Sequence, residues 1–577
     1  MAYSKFELTT ADTVYMLMTD RFFDGDPSNN GMLGVEYQPG NLHFYQGGDW
    51  KGLMQKLPYI KQMGFTAIWM TAPQDNELFS RTGDEAGYHG YYTRDFNQPN
   101  PHFGTSEDLQ ALLYEAEKLD LKVIIDAQLN HTADYLEYPS EQYDPPEYRP
   151  APPFDNPTWY HNTPNIINFD DPYEAQNYSL GGLDDLAQEN PDCWKALMDA
   201  YWQPEKNQGW FSYGFAGSRV DAVIEIPPEY LAKYEKHTGK HGFGEAFTGS
   251  VAENAAIQQY LWGMLDYPLH FQINNTICRK EDWSGIKWVL DQDYMYRSPH
   301  QLFTFIDNHD RSRFLANCGG QITKLQLALA FIYAARGIPV IYYGTEQEMA
   351  GDYRYTDQTI NLHNREMMTC FADDSSTFAM IQRLNQLRKT YKDILSSGKQ
   401  TEIFFKDGDS VYAFQRKSYS DSRRIICIFN SSPVEQSRTF LLNQRVCGSY
   451  TDLLNTQHRY DVCSGQLDII IPGNCAMLLA EDVEESYIPL EIKSTKIVIH
   501  YDAGWGNTLY IRGEKIPLNW EQGHRCDNAN ADIWIFEIEK PFAGTLPFKV
   551  LMNDLIWETG MNHSVCSGTT CEIWPKF

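Results

Sequence analysis

The sequence predicts an α/β chain: a (β/α)8 barrel with an inserted loop subdomain, followed by C-terminal antiparallel β-sandwich domains. Three observations predict it. Short apolar, β-rich runs alternate with amphipathic helical stretches over about the first 385 residues. Acidic residues stand at or just past the C-terminal ends of several of those runs: Asp126, Asp221, Glu245 and Asp310. Past about residue 400 the pattern changes to short strands separated by turns.

The strand candidates of the first part are Val14–Met18, Ala67–Met70, Val123–Asp126, Ser218–Ala222, Gly242–Glu245, Leu302–Asp307 and Val340–Tyr343. Helices fall between them, as at Ser106–Leu119, where Ser106 caps and apolar positions recur at helical spacing. Parallel strands alternating with helices build either an open doubly wound sheet or a closed barrel. The acidic strand ends decide between them. In a barrel they converge on one face, whereas in an open sheet they spread along an edge. One excursion, His131 to Gly182, is rich in Pro, Tyr, Asp and Asn and lacks helical periodicity. A loop of that length is a functional element or a small subdomain. The short strands Thr401–Phe405, Ser410–Gln415, Arg424–Phe429, Arg438–Leu442 and Leu467–Ile471 read as a sandwich. A polar stretch near Glu481–Tyr487 leads into a second β-rich module from Ile492 to Phe577. The resulting division is a barrel over 1–130 and 183–395, an insert over 131–182, a sandwich over 396–485 and a last module over 486–577.

Charge narrows the partners. A formal net charge of −30 repels nucleic acid and anionic membranes, whose binding depends on Lys and Arg, while a neutral polymer incurs no such penalty. Leu325–Tyr343 is apolar but contains Gln326, Arg336, Gly337 and Pro339, so it reads as a buried helix and strand rather than a membrane span. Met1–Leu17 lacks a basic head followed by an apolar run. The expectation is a cytoplasmic protein, or one exported without a recognisable leader, acting as a monomer. Eleven scattered cysteines suggest mostly free thiols, with Cys566 and Cys571 close enough for a local disulfide or half a metal site. No Gly-rich phosphate loop follows the first strand.

Carboxyl groups on neighbouring strand ends suit glycosidic cleavage, in which one attacks the anomeric carbon and the other protonates the leaving oxygen. Asp221 ends the fourth assigned strand and Glu245 the fifth. Arg219 lies two residues before Asp221 and so on the same strand face, where a guanidinium favours the ionised nucleophile. Glu245 follows Gly-Phe-Gly with no nearby cation in sequence, which suits a proton-holding acid.

The segments DAQLNH (Asp126–His131), GSRVDAVIE (Gly217–Glu225), GFGEAF (Gly242–Phe247) and FIDNHD (Phe305–Asp310) occur in that order, with GLDDLAQEN (Gly182–Asn190) as a fifth. Together they closely resemble the short sequence regions of the α-amylase superfamily, glycoside hydrolase family thirteen. TDRFFDGDPSNN, YQGGDW, YHGYYTRDFNQPNPHFGT and YYGTEQEMAG resemble the cyclodextrin glycosyltransferases and their amylase relatives. The resemblance implies Asp221 as nucleophile, Glu245 as acid/base and Asp310 as a third carboxylate. It also implies Arg219 orienting the nucleophile, His131 and His309 hydrogen-bonding the sugar, Tyr91 stacking on it and Asp126 supporting the site. It implies Ca2+ held by Asp24, Asp26, Asn29, Asn30, the Gly47 carbonyl and Asp49. A second calcium site would use Asn130 and Asp185, with Glu225 where the family has a His.

Two departures bear on the reaction. Ile224 replaces a Lys that contacts the acceptor sugar in the family, and Gly181 stands where cyclising enzymes carry a central aromatic ring. The expected activity is therefore retaining, endo-type α-amylase hydrolysis of α-1,4-glucosidic bonds in starch or glycogen, giving linear products. The alternatives are a glucanotransferase and a non-catalytic glucan-binding protein. The last module resembles a starch-binding domain through FKVLMNDLIWETGMNH and its tryptophans Trp505, Trp520, Trp534, Trp557 and Trp574; Trp520 and Trp557 are the candidate sugar platforms.

Overall fold

The computed structural model describes residues 6–356, 359–490, 494–514, 518–530, 532–538, 542 and 545–577. Eight parallel strands close into a barrel: β1 Val14–Leu17, β2 Ala67–Met70, β3 Lys122–Ala127, β4 Gly217–Val220, β5 Gly242–Gly244, β6 Gly263–Leu265, β7 Leu302–Thr304 and β8 Ile338–Tyr342. Each pairs with its neighbours in sequence, and Val14 of β1 lies opposite both Ala67 of β2 and Val340 of β8, which closes the ring. The strands are buried almost throughout, as expected where helices cover a parallel sheet.

Seven of the eight strands stand at expected positions. β6 escaped the sequence pattern because three residues, Gly-Met-Leu, carry no period. Tertiary pairing creates it: Phe243 lies opposite Gly263, and Met264 opposite Leu302. A Cβ on Gly263 would stand 2.6 Å from the Gln301 carbonyl oxygen, so this strand passes where a side chain cannot.

The helix expected to be capped by Ser106 is instead capped one residue earlier. Thr105 accepts from the Asp108 amide, and Asp108 accepts from the Thr105 amide, a capping box at the start of Ser106–Lys118. Leu325–Tyr343 is a buried helix end, Ile322–Ala334, followed by β8. Among the described residues no helix is long and apolar enough to cross a membrane. The insert has little regular structure, only a 3-10 turn at Pro157–Trp159 and a short helix at Pro172–Ala175. It is tied down by buried Asp184, which accepts from the amides of Tyr135 (2.9 Å) and Leu136 (3.0 Å).

After the barrel, a six-stranded antiparallel sheet runs in the order Lys399–Phe404, Val411–Lys417, Arg424–Asn430, Cys475–Glu481, Gly448–Asp452 and Arg459–Val462. Gln436–Leu441 pairs with Gln466–Ile471 as a second layer. The last module has its own core around Ile497, Ile511, Phe548 and Val550. Its expected start at Ile492 lies outside the described residues. It is not purely antiparallel, since Thr495–His500 and Thr570–Ile573 pair in parallel. Cys278 and Cys318 form a disulfide across 40 residues, a pairing that spacing alone does not encode. The other nine cysteines are free, and Cys566 and Cys571 are not bonded to each other.

Arg416 anchors the first sandwich to the barrel. It is fully buried and donates to the carbonyls of Ala334 (2.9 Å), Leu395 (2.8 Å) and Gly398 (3.2 Å). Beside it Phe331 of the barrel packs on Phe429 of the sheet, with ring centroids 5.1 Å apart. Arg416→Met keeps the apolar stem but leaves three buried carbonyls without donors. It is expected to cost about 2–4 kcal/mol, read as a lower urea midpoint.

Candidate active site

The barrel register delivers the carboxylates. Asp221 follows the last residue of β4 and Glu245 the last residue of β5. Both remain on the ladder: the Asp221 amide donates to Ala127 (3.0 Å) and the Glu245 amide to Val220 (2.9 Å). Asp126 lies within β3, and Asp310 lies on the loop after β7. Ala222 has φ +50°, a left-handed conformation unusual for a residue with a side chain, and its amide donates to Glu245 Oε2 at 3.2 Å.

Buried Arg219 joins these groups. Its guanidinium lies 2.8 Å from Asp126 Oδ1, 2.7 Å from Asp221 Oδ1 and 3.4 Å from Glu245 Oε2. Asp126 also accepts from Trp69 Nε1 (3.0 Å) and the Tyr91 hydroxyl (3.1 Å). The Tyr91 oxygen lies 2.8 Å from His309 Nε2. On the other side, Arg365 donates to Asp310 Oδ1 (3.2 Å) and to the His309 carbonyl (2.9 Å). His131 Nε2 lies 3.9 Å from Asp221 Oδ2 and has no hydrogen-bond partner although buried, as a group waiting for a substrate hydroxyl would be. Side-chain exposure divides the cluster in two. Asp126 and Arg219 are at 0% and 1%, while Asp221, Glu245 and Asp310 stand at 13%, 12% and 31%.

The environments separate the protonation states. Burial pushes Glu245 up to about 7, with Arg219 opposing and Asp221 and Asp310 adding to the rise. Burial also raises Asp221, against Arg219, so the adjacent cation limits the rise rather than reversing it. Burial works against Asp310 too, but His309, Arg365 and Arg219 together hold its carboxyl below the usual range. Burial drops His131 to about 4 and His309 to about 3, leaving both neutral at physiological pH. Burial thus holds a proton on Glu245 into the neutral range, while the cations around Asp310 favour its ionised form.

The family model described as the alpha amylase catalytic domain matches residues 16–254 and 272–373, and that of the alpha amylase C-terminal all-beta domain matches 404–475. The chain belongs to the α-amylase family. A beta/alpha-amylase of Paenibacillus polymyxa is 32% identical over 81% of this chain and 37% of its own length. A cyclomaltodextrin glucanotransferase of Geobacillus stearothermophilus is 33% identical over 77% of this chain and 63% of its own. The chain therefore spans less than two thirds of the length of these relatives. The crystal structure of CldA, a cyclomaltodextrin glucanotransferase with a three-domain ABC distribution, superposes with a TM-score of 0.72 at 30% identity, covering 82% of this chain and 99% of that one.

For an α-amylase-family chain the N-terminal loop is the first place to test for calcium. Asp24 Oδ1, Asn29 Oδ1 and Asn30 Oδ1 are buried without hydrogen-bond partners. Gly47 presses on one of them: a Cβ there would lie 2.7 Å from the Asn30 amide group. Asp49 caps helix Trp50–Gln62 through the Gly52 amide and accepts from the amides of Gly25 and Asp26. Asp26 differs: its carboxylate is taken up by Lys51 Nζ (2.6 Å) and Ser28. Among the described residues no group of three His, Cys, Asp or Glu side chains could hold a metal. The loop instead offers amide and carboxylate oxygens, the donor class that Ca2+ takes. At the second place the Asn130 amide faces Asp185 Oδ1 (3.3 Å) and the Glu225 carbonyl (3.0 Å). With its nitrogen toward them it donates to both; with its oxygen toward them, three oxygens face one another. His161 Nδ1 holds the other Asp185 oxygen.

In the last module the Trp520 and Trp557 rings lie 6.2 Å apart at 34°, and Trp557 is 42% exposed. Trp534 is core, whereas Trp505 is fully exposed and Trp574 stacks on His500. Sequence reasoning missed Arg365 and also Tyr267, whose hydroxyl lies 3.4 Å from Glu245 Oε1, because neither belongs to a recognised segment.

Glu245 supplies a stability prediction. Its folded carboxyl holds a proton up to about pH 7, whereas an unfolded Glu loses it near 4.3, so it favours the folded state at low pH and that contribution is lost as pH rises through the folded value. Glu245→Gln removes the penalty. Its stability is expected to match the wild type near pH 4 and exceed it by about 1–3 kcal/mol at pH 8, read from denaturant midpoints at the two pH values.

Proposed function

We propose that this α-amylase-family enzyme is a retaining, endo-acting α-amylase that hydrolyses α-1,4-glucosidic bonds of starch, glycogen and maltooligosaccharides. The observation that carries this reading is the buried cluster at the ends of β4, β5 and β7, in which Arg219 bridges Asp221 and Glu245 while burial pushes Glu245 up to about 7.

Asp221 attacks the anomeric carbon while Glu245 passes its proton to the leaving glucosidic oxygen. The resulting Glu245 carboxylate then takes a proton from water, and the hydroxide attacks the glycosyl-Asp221 ester with a second inversion. Arg219 stabilises the Asp221 carboxylate before attack and as it leaves the sugar. Asp310, ionised and held by Arg365, faces the positive charge that develops on the sugar ring. Neutral His131 and His309 and the Tyr91 ring line the same pocket and suit hydrogen bonding and stacking on that sugar.

Relatives of both hydrolytic and transferring kinds match the chain. Gly181 favours hydrolysis. It sits in a turn with φ +62° where nothing lies within 4 Å of a Cβ, so no ring stands there for a glucan to curl around. Ile224 likewise offers no cation to an acceptor sugar. Calcium would be held by Asp24, Asn29, Asn30, Asp49 and the Gly47 carbonyl, where its charge would tie the N-terminal loop to helix Trp50–Gln62; Asn130 and Asp185 would carry a second ion. Trp557, 42% exposed, with Trp520 beside it, would supply a ring face for glucan on the last module.

Incubation with soluble starch and calcium, with products resolved by chromatography, tests the activity. Linear maltooligosaccharides are expected from the wild type and none from Asp221→Asn. Cyclic or lengthened products would make the chain a transferase, and no turnover would leave a glucan-binding protein. For the metal, chelation with EDTA is expected to lower the melting temperature by about 5 °C or more, with restoration by Ca2+. Asp24→Asn with Asn30→Ala should largely remove that response; an unchanged response would show that these residues hold no ion.

A further inference from the structure

Tyr267 opens helix Tyr267–Ile273, directly after β6 and its capping residue Asp266. Its position is tightly held. Asp266 is fully buried and ion-paired with Arg336, the Tyr267 ring packs edge-on against Phe305 at 5.0 Å, and Phe247 covers it at 4.9 Å.

Donor and acceptor bookkeeping assigns the hydroxyl. Among the described residues its partners are Asn308 and Glu245. Asn308 Nδ2 donates to the Tyr267 oxygen at 2.9 Å, which uses its acceptor side. An amide NH2 cannot accept, so the phenol proton has one direction left, toward Glu245 Oε1 at 3.4 Å. Oε2 of the same carboxyl already has Arg219 and the Ala222 amide. Among the described residues Oε1 has only Tyr267. The contact is long for a hydrogen bond between oxygens, as such contacts often are before substrate closes a site.

We propose that Tyr267 is a positioning residue for Glu245: its O–H supplies the hydrogen bond that holds Oε1 once Glu245 has given its proton to the leaving group, and fixes the carboxyl for its return as base. The inference rests on Glu245 being the acid/base. In the first half of the reaction the proton leaves Glu245, and a full charge appears on a buried group. Arg219, Asp221, Asp310, Glu225 and Tyr267 are the titratable and charged groups around it. Of these, Arg219 and Tyr267 lie within reach to donate to the carboxylate, and they serve different oxygens. Tyr267 itself stays protonated, because burial and the neighbouring Glu245 and Asp310 raise its phenol well above the usual range.

The test is the pH profile of kcat/KM on a 4-nitrophenyl maltooligoside. The alkaline limb reports loss of the Glu245 proton in the free enzyme. Tyr267→Phe removes a donor to the ionised form, so the limb is expected to move to higher pH by about 0.5 to 1 unit. Substituting 3-fluorotyrosine at position 267 keeps the ring and makes the O–H a stronger donor, so the limb should move the other way. Should Tyr267→Phe fail to fold, the fluorinated protein alone decides the matter. An alkaline limb that superposes on the wild type in the folded variants overturns the proposal, whatever happens to kcat. Glu245→Gln is the control: if it keeps wild-type activity, the acid/base assignment falls and this inference with it. If Glu245→Gln is inactive and the limb still does not move, only the role of Tyr267 falls.

Discussion

The mouth of the barrel is organised around one buried cation. Arg219 is almost wholly out of water, and its guanidinium contacts carboxylates from β3, β4 and β5. Taking such a charge into a protein interior costs several kcal/mol unless it is paired and hydrogen-bonded. Three carboxylates close to one another are equally costly without it. Each side of the arrangement therefore requires the other. Trp69 and Tyr91 complete the shell by donating to Asp126, which is fully buried and absorbs part of the positive charge. That leaves Asp221 and Glu245, the two more exposed members, free to differ in protonation.

The barrel supplies the distances that this balance needs. Neighbouring strands lie about 4.8 Å apart, so consecutive strand ends bring side chains together without any long loop. β4 and β5 stop one residue short of Asp221 and Glu245, yet both backbones stay on the ladder through Ala127 and Val220. Asp126, Arg219, Asp221 and Glu245 are thus set by sheet, whereas Asp310 comes from the loop after β7 and its partner Arg365 from a short 3-10 turn, His363–Arg365. Those loops are held in turn: Asn364 and Arg365 both donate to the His309 carbonyl, which fixes the turn that presents Asp310. The N-terminal loop follows a different logic. There, orphaned oxygens of Asp24, Asn29 and Asn30 remain buried at the start of a barrel helix, a state that hydrogen bonding within the chain does not relieve.

Much of this was legible before any coordinates. Seven strands were readable because fully buried parallel strands are short apolar runs bounded by helices. Asp221, Glu245 and Asp310 were readable because they stand at or soon after such runs, within segments of recognisable composition. β6 was not readable, since three residues carry no period and the strand exists only through its neighbours. The cap at Thr105 rather than Ser106 was a one-residue matter of which hydroxyl meets the Asp108 amide. The Cys278–Cys318 bond joins two residues whose approach depends on the packing between them.

By itself the sequence determined the barrel, the order of its acidic strand ends and the pairing of Arg219 with Asp221, because strand periodicity is local and side chains two residues apart share a face. Only the tertiary structure decided which acid keeps its proton. Arg219 was expected to lower Asp221, but burial raises both carboxyls, with Arg219 opposing the rise at each. Only the fold, too, brought Arg365 to Asp310 and Tyr267 to Glu245, across 55 and 22 residues. The reason is physical: desolvation and Coulomb energy depend on what surrounds a group in space, and a linear pattern does not specify those surroundings until the chain has closed.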